Sequence, residues 1–94
     1  MRVVSHKAIV EASQKHPNAA QALDRWYRLT KKATWQSLAD VRTNFPHADL
    51  VGERTVFNIA GNNYRLIARI NYQAQIVYVG HILTHAEYDK GEWQ

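Results

Sequence analysis

"VFNIAGNNYRLIARINY", residues 56–72, places apolar and polar side chains alternately on both sides of one Gly-Asn break. A period of two is that of a strand half-buried against a core. "RTVFNIA" (54–60) and "YRLIARINY" (64–72) therefore predict two antiparallel strands. "GNN" (61–63) supplies their turn, where Gly61 and Asn62 tolerate positive φ. "QAQ" makes the next turn and "IVYVG" (76–80) a third strand, so this half is a meander.

Upstream the period changes. "RVVS" (2–5) predicts a short first strand, pairing at the edge or the centre of the sheet. Ser5 caps a helix over about 6–16, with Ile9 and Ala12 inward, broken at "HPN" (16–18) because Pro17 disfavours helix at the residue before it. Asn18 is expected to cap a second helix. Its Ala22, Leu23, Trp26, Tyr27 and Thr30 recur at helical spacing, and Lys31 and Lys32 suit its C-terminal dipole. "SLAD" (37–40) resembles a capping box opening a third helix, with Leu38, Val41 and Arg42 on one face, which Pro46 stops at Phe45. Trp26, Tyr27 and Trp35 are expected in the core, an interface being the alternative for Trp35. The fold class is α+β: N-terminal helices packed on one face of a small, mainly antiparallel β-sheet.

A chain of 94 residues with 46% hydrophobic and 21% charged residues is expected to form a single domain over 1–94. It contains no cysteine, which excludes disulfide frameworks and cysteine-ligated metal sites. No signal-peptide core follows "MRVVSHK" and no apolar run approaches the ~20 residues of a membrane span, so a soluble cytoplasmic protein is expected. The net charge of +4 favours an acidic partner. Between Arg54 and Ala86 there is no Asp or Glu; Arg54, Arg65 and Arg69 are the charged residues there, with His81 and His85 able to join them. That half offers phosphate no built-in repulsion.

In "YRLIARINY" the face carrying Tyr64, Leu66, Ala68, Ile70 and Tyr72 is expected to meet the core, leaving Arg65, Ile67, Arg69 and Asn71 on the other. Arg65 and Arg69 are expected about 7 Å apart, near the spacing of successive phosphates in an extended single strand. Guanidinium groups grip phosphate with two prongs and keep their charge. On spacing alone, two solvated arginines compete with that expectation. Arg42, Lys31 and Lys32 are candidate contacts for RNA, with a solvated face the equal or better alternative.

"GHILTHAEYD" (80–89) admits three interpretations. An H-x₃-H metal pair on a helix lacks a third ligand nearby. Solvated histidines beside a packed Tyr88 are a structural alternative. The third is proton transfer, since imidazole both takes and gives a proton near neutrality. Cleavage of RNA by its own 2′-hydroxyl needs such a group, plus cations on the phosphate, and no metal or other cofactor. His85 as base or acid, Arg65 and Arg69 on the phosphate, and Tyr88 beside the base would fill these roles, with Lys90 adding charge. Glu87, Asp89 and Glu92 are expected to face solvent, away from the RNA.

The chain also resembles the HigB family of toxins of type II toxin–antitoxin systems, within the RelE-like superfamily. The segments carrying this are "SHKAIVEASQKHP", "WQSLADVRTNFPHAD", "VFNIAGNNYRLIARINY" and "VYVGHILTHAEYDK". The resemblance implies a sheet with a basic, concave RNA-binding face and cleavage of mRNA on the translating ribosome. It also implies neutralisation by a helix-turn-helix antitoxin, the toxin being monomeric alone and hetero-oligomeric with that partner. By position, Arg65 matches the arginine that RelE-like toxins place at the scissile phosphate, and Tyr88 their C-terminal tyrosine. His85 lies in the "THAEYD" segment typical of the HigB branch and is the proton-transfer candidate. RelE itself relies on basic residues rather than histidine, so its division of labour does not transfer. Arg69, Lys90, Arg54 and His81 are RNA-binding candidates by charge and placement, and His81 has the alternative of only orienting the strand end. A same-fold toxin of a protein target such as gyrase, and a non-catalytic RNA-binding domain, are the competing functions.

Overall fold

The computed structural model describes residues 1–93. Its elements run β1 (Arg2–Val4), α1 (His6–Lys15), α2 (Ala20–Lys32), α3 (Leu38–Asn44), β2 (Asp49–Val51), β3 (Arg54–Ile59), β4 (Tyr64–Asn71), β5 (Ile76–Thr84) and α4 (His85–Asp89). The five strands form one sheet in the order β1-β5-β4-β3-β2. β1 pairs with β5 in parallel at one edge, and all other pairings are antiparallel. Among the described residues no helix is long and apolar enough to cross a membrane.

Alternation along the strands sorts the side chains as expected. Phe57, Ile59, Tyr64, Leu66, Ala68 and Val77 join Leu23, Trp26, Trp35 and Val41 of the helical layer in the main core. Its centre is aromatic: Trp26 and Phe45 both meet the Phe57 ring edge-on, at 5.4 and 5.3 Å. Trp35 is buried, and its indole N–H donates to Asn44 Oδ1 at 2.9 Å, which fixes the segment before α3. Tyr27 is only partly buried and stacks on His6.

Several local expectations yield to tertiary partners. Ser5 sits at the N-cap of α1 in extended conformation but makes no side-chain cap bond. Asn18 does not cap α2: residues 17–19 form a 3₁₀ turn, α2 starts at Ala20, and Asn18 accepts a hydrogen bond from the Tyr64 hydroxyl instead. The box at Ser37 is shifted by one residue, since Asp40 accepts from the backbone N–H of Gln36 and the Ser37 hydroxyl caps nothing. In the β3–β4 turn the left-handed residues are Ala60 (φ 53°) and Gly61 (φ 67°), one position earlier than expected.

β5 extends four residues beyond the predicted end at Gly80, which is a bulge past which the pairing with β4 continues. Ala68 pairs with Val79 and Ile67 with His81, so one β5 residue is left over between them. An extra residue shifts the alternation by one. Val77, Val79 and Ile82 therefore all contact the main core, while Leu83 joins the opposite face. A Cβ at Gly80 would meet the Ile67 carbonyl oxygen at 3.2 Å, so this position favours glycine.

The opposite face is not open along its length. Val56, Ile67 and Trp93 form a second, smaller apolar cluster there, flanked by Val51, Leu83 and Tyr88. Trp93 comes from the tail. Gly91, at φ 72°, provides the left-handed residue that turns the chain back after α4 and brings Trp93 down onto Ile67.

Candidate active site and RNA interface

Arg65 begins the site. It lies on the central strand, opposite Asn58 on β3 and Leu83 on β5, and is only 8% exposed. Its Nη1 donates to the carbonyls of Asn62 and Tyr64 at 3.2 and 3.1 Å, and its Nη2 to Asn62 Oδ1 at 2.6 Å. A guanidinium has five N–H donors. Two of these contacts are made by Nη1 and one by Nη2, leaving Nε–H without an acceptor among the described residues. Nε and Nη2 lie along one edge of the guanidinium, the two-pronged edge that matches a phosphate or carboxylate. No carboxylate reaches Arg65 among the described residues. A nearly buried cation held by neutral acceptors alone is costly, and an anion at its Nε–Nη2 edge relieves that cost.

α4 closes over this arginine. The Tyr88 ring lies 5.5 Å from the guanidinium carbon, and Trp93 stacks behind Tyr88 at 5.0 Å with the planes 13° apart. The Trp93 indole N–H donates to the Tyr88 carbonyl at 2.9 Å. The Tyr88 ring thus meets both the guanidinium and the indole, and arginine supports such a ring contact better than lysine. α4 is short, and its start is fixed by a complete capping box. Thr84 N–H donates to Glu87 Oε1 at 2.9 Å, and Glu87 N–H donates to Thr84 Oγ1 at 3.1 Å. The hydrogen bonds to Thr84 hold the Glu87 carboxyl below the usual carboxylate range. The backbone N–H of His85 donates to the Asn63 carbonyl at 2.9 Å, tying α4 to the turn that also grips Arg65.

His85 is half-buried at the first position of α4, and its Nδ1 lies 3.0 Å from Asp89 Oδ2. A carboxylate there orients the ring and selects the tautomer with the proton on Nδ1, leaving Nε2 to exchange protons. Tyr88 stands one helical turn further on, so His85 and the Arg65–Tyr88 contact occupy the same end of the sheet.

The remaining candidates form a separate group. Arg54, Arg69 and His81 line a cleft of about 160 Å³ with Tyr78 and Gly80, towards the other end of the outer face. Lys90 lines a neighbouring cleft with His81, Trp93 and the carboxylates Glu87 and Glu92. The expected 7 Å between Arg65 and Arg69 is incorrect. Four strand residues span about 13 Å, so the two arginines do not match neighbouring phosphates of one extended strand. Ile67 between them is buried under Trp93. His81 stands on β5 and His85 begins α4, so their four-residue spacing is not that of one helix. Arg42 is engaged internally: its Nε donates to the Ala48 carbonyl, and Nη2 lies 3.6 Å from Asp49.

Three contributors were not anticipated from sequence. Asn62 was expected only to turn the chain, yet it supplies two of the three acceptors for Arg65. Asp89 was expected to face solvent away from the RNA; it is exposed, but its carboxylate also pairs with His85, a contact the i,i+4 spacing could have suggested. Trp93 lies near the end of a charged tail, and nothing local to it signals burial.

Helices on one face of a five-stranded, mostly antiparallel sheet, with arginines and histidines gathered on the other, define the architecture of a RelE-like toxin. The family model for HigB toxins, described as the RelE-like toxic component of a toxin–antitoxin system, matches residues 19–91. A protein of Escherichia coli O6:H1 named mRNA interferase HigB is 39% identical over 93 residues, covering 96% of this chain and 90% of its own. The mRNA interferase toxin HigB of E. coli K12 is 27% identical over 92 residues, covering 95% and 88%. The chain belongs to the HigB toxin family.

Proposed function

We propose that this toxin is an endoribonuclease of the mRNA-interferase type. In this proposal it cuts mRNA on the ribosome by attack of a 2′-hydroxyl on the adjoining phosphate, and a helix-turn-helix antitoxin holds it inactive. The names of its relatives support the substrate and the reaction class. The observation that carries the chemistry is Arg65: a nearly buried cation whose Nε–Nη2 edge keeps an Nε–H without an acceptor, and which has no carboxylate partner among the described residues.

Phosphate oxygens occupy that edge, and the guanidinium stabilises the charge that builds as phosphorus becomes five-coordinate. The 2′ oxygen–phosphorus bond forms while the bond to the 5′ oxygen breaks. A proton leaves the 2′ oxygen and one reaches the 5′ oxygen, so the products are a 2′,3′-cyclic phosphate and a 5′-hydroxyl end. His85 Nε2 is the proton-transfer group, with Asp89 keeping the other ring nitrogen engaged. Tyr88 fixes the guanidinium plane on one side and offers its rim to a nucleotide. Arg54, Arg69 and Lys90 hold the flanking phosphates as solvated cations, an interaction that weakens as salt rises, and His81 beside them offers a ring N–H.

Expression of the toxin followed by mapping of mRNA 5′ ends tests this. Internal cuts that need ribosomes, and that fall by roughly 10²–10³-fold in a folded Arg65→Ala or His85→Ala protein, are expected. Intact mRNA accompanied by double-strand DNA breaks would replace the proposal with a gyrase-directed toxin.

A further inference from the structure

The proposed chemistry leaves unused a cleft of about 490 Å³ beside the β3–β4 turn. Arg25 from α2, Asn44, Phe45 and His47 from the α3–β2 connection, Asn58 from β3 and Asn62 from the turn line it. Its size is within the range of small-ligand sites. Arg25, His47 and Asn58 are exposed, and their side chains have no hydrogen-bond or ion-pair partner among the described residues. Their neighbours differ. Arg28 on the same helix is paired with Asp24 at 2.6 Å, and Asn44 Oδ1 accepts from Trp35.

Two contacts connect this cleft to Arg65. Asn58 is the register partner of Arg65 on the adjacent strand, and Asn62 donates no role to the cleft alone, since its side-chain oxygen also accepts from the guanidinium at 2.6 Å. Neighbouring strands lie about 4.8 Å apart, so a chain held at Arg65 passes within one strand of the Asn58 and Asn62 that line the cleft. Within it, the Asn58 amide presents a donor and an acceptor side by side, the pattern that reads a base edge. The partly buried Phe45 ring, His47 and the Arg25 guanidinium are flat groups suited to stacking on an unpaired base.

We infer that this cleft takes the base of a nucleotide adjoining the phosphate held by Arg65, and that Asn58 and His47 set the base preference there. The inference rests on the proposed RNA cleavage but is decided by a separate measurement. The probes are four short oligoribonucleotides carrying 2′-O-methyl groups, which block the attacking hydroxyl, and differing in one base. The wild-type protein is expected to discriminate among them by about tenfold, and Asn58→Ala or His47→Ala to compress that spread to about twofold. Mapped mRNA cuts are expected to lose the same base preference, with total cleavage changed less than about threefold. In the wild type, backbone NMR signals of His47 and Asn58 shift in a base-dependent way. An unchanged preference in both variants overturns the inference. So does a pair of variants that bind RNA normally but lose affinity for the antitoxin. If the wild type cuts no mRNA, the proposed activity falls, and the oligonucleotide spread and the shifts at Asn58 and His47 still decide the cleft.

Discussion

The two arginines of β4 stand on the same face of the same strand and in opposite physical states. Arg65 is nearly buried, held by three acceptors and covered by Tyr88, whereas Arg69 is exposed beside a shallow cleft with Arg54 and His81. A guanidinium fixed in advance needs no reorganisation when charge develops on a phosphate. A solvated one contributes attraction that salt screens. Equal charge on one strand thus serves chemistry at one end and general affinity at the other, and the tail makes the difference by folding over one end.

The comparison breaks most sharply at Asn62. Asn62→Asp replaces the neutral acceptor with an anion beside Arg65, neutralising it, and cleavage is expected to fall by about 10²-fold while the melting temperature holds or rises. An unchanged rate in a cleavage assay would show that the charge at Arg65 is not used. Trp93→Ala comes next. It empties the small cluster and frees Tyr88, costing about 2–4 kcal/mol in denaturant unfolding and leaving Arg65 as exposed as Arg69. Trp93→Phe should retain most of that stability. Arg69→Ala is expected to weaken RNA binding only a few-fold and to flatten the log–log salt slope by about 0.7, with the cleavage step itself nearly unchanged.

The smallest effect is at Glu87. Its carboxyl is held below the usual range in the folded protein, so its contribution is fully present above the ordinary carboxylate pKa of about 4.3. That contribution is lost as pH falls through the lower folded value. Glu87→Gln should therefore cost well under about 1 kcal/mol near neutrality and make α4 less sensitive to acidification, as read by NMR of its amide signals.

The meander was legible because alternation is local: in residues 54–72 each side chain declares its face by its position relative to its neighbour. α2 was legible for the same reason at helical period, with Leu23, Trp26 and Thr30 all buried. β2 was not. Three residues carrying an exposed Leu50 and Asp49 show no pattern, and they become a strand only because β3 offers an edge. Asn18 is competent as a cap, but the Tyr64 hydroxyl claims it from 46 residues away. Among the site residues, Arg65 was suggested by alternation and the run without acids, and His85 and Tyr88 by their side-chain chemistry, with the resemblance adding to all three. Asn62, Asp89 and Trp93 act through partners that local pattern did not reveal.

By itself the sequence determined the two central strands and the three N-terminal helices, which face of β4 is apolar, and that the acid-free half would attract anions. These follow from side-chain period and composition, which nearest neighbours establish. Only the tertiary structure decided which arginine is desolvated. Burial depends on what lies across the sheet, and here that is a bulge at Gly80 and a reversal at Gly91, which together bring Leu83, Tyr88 and Trp93 onto the outer face.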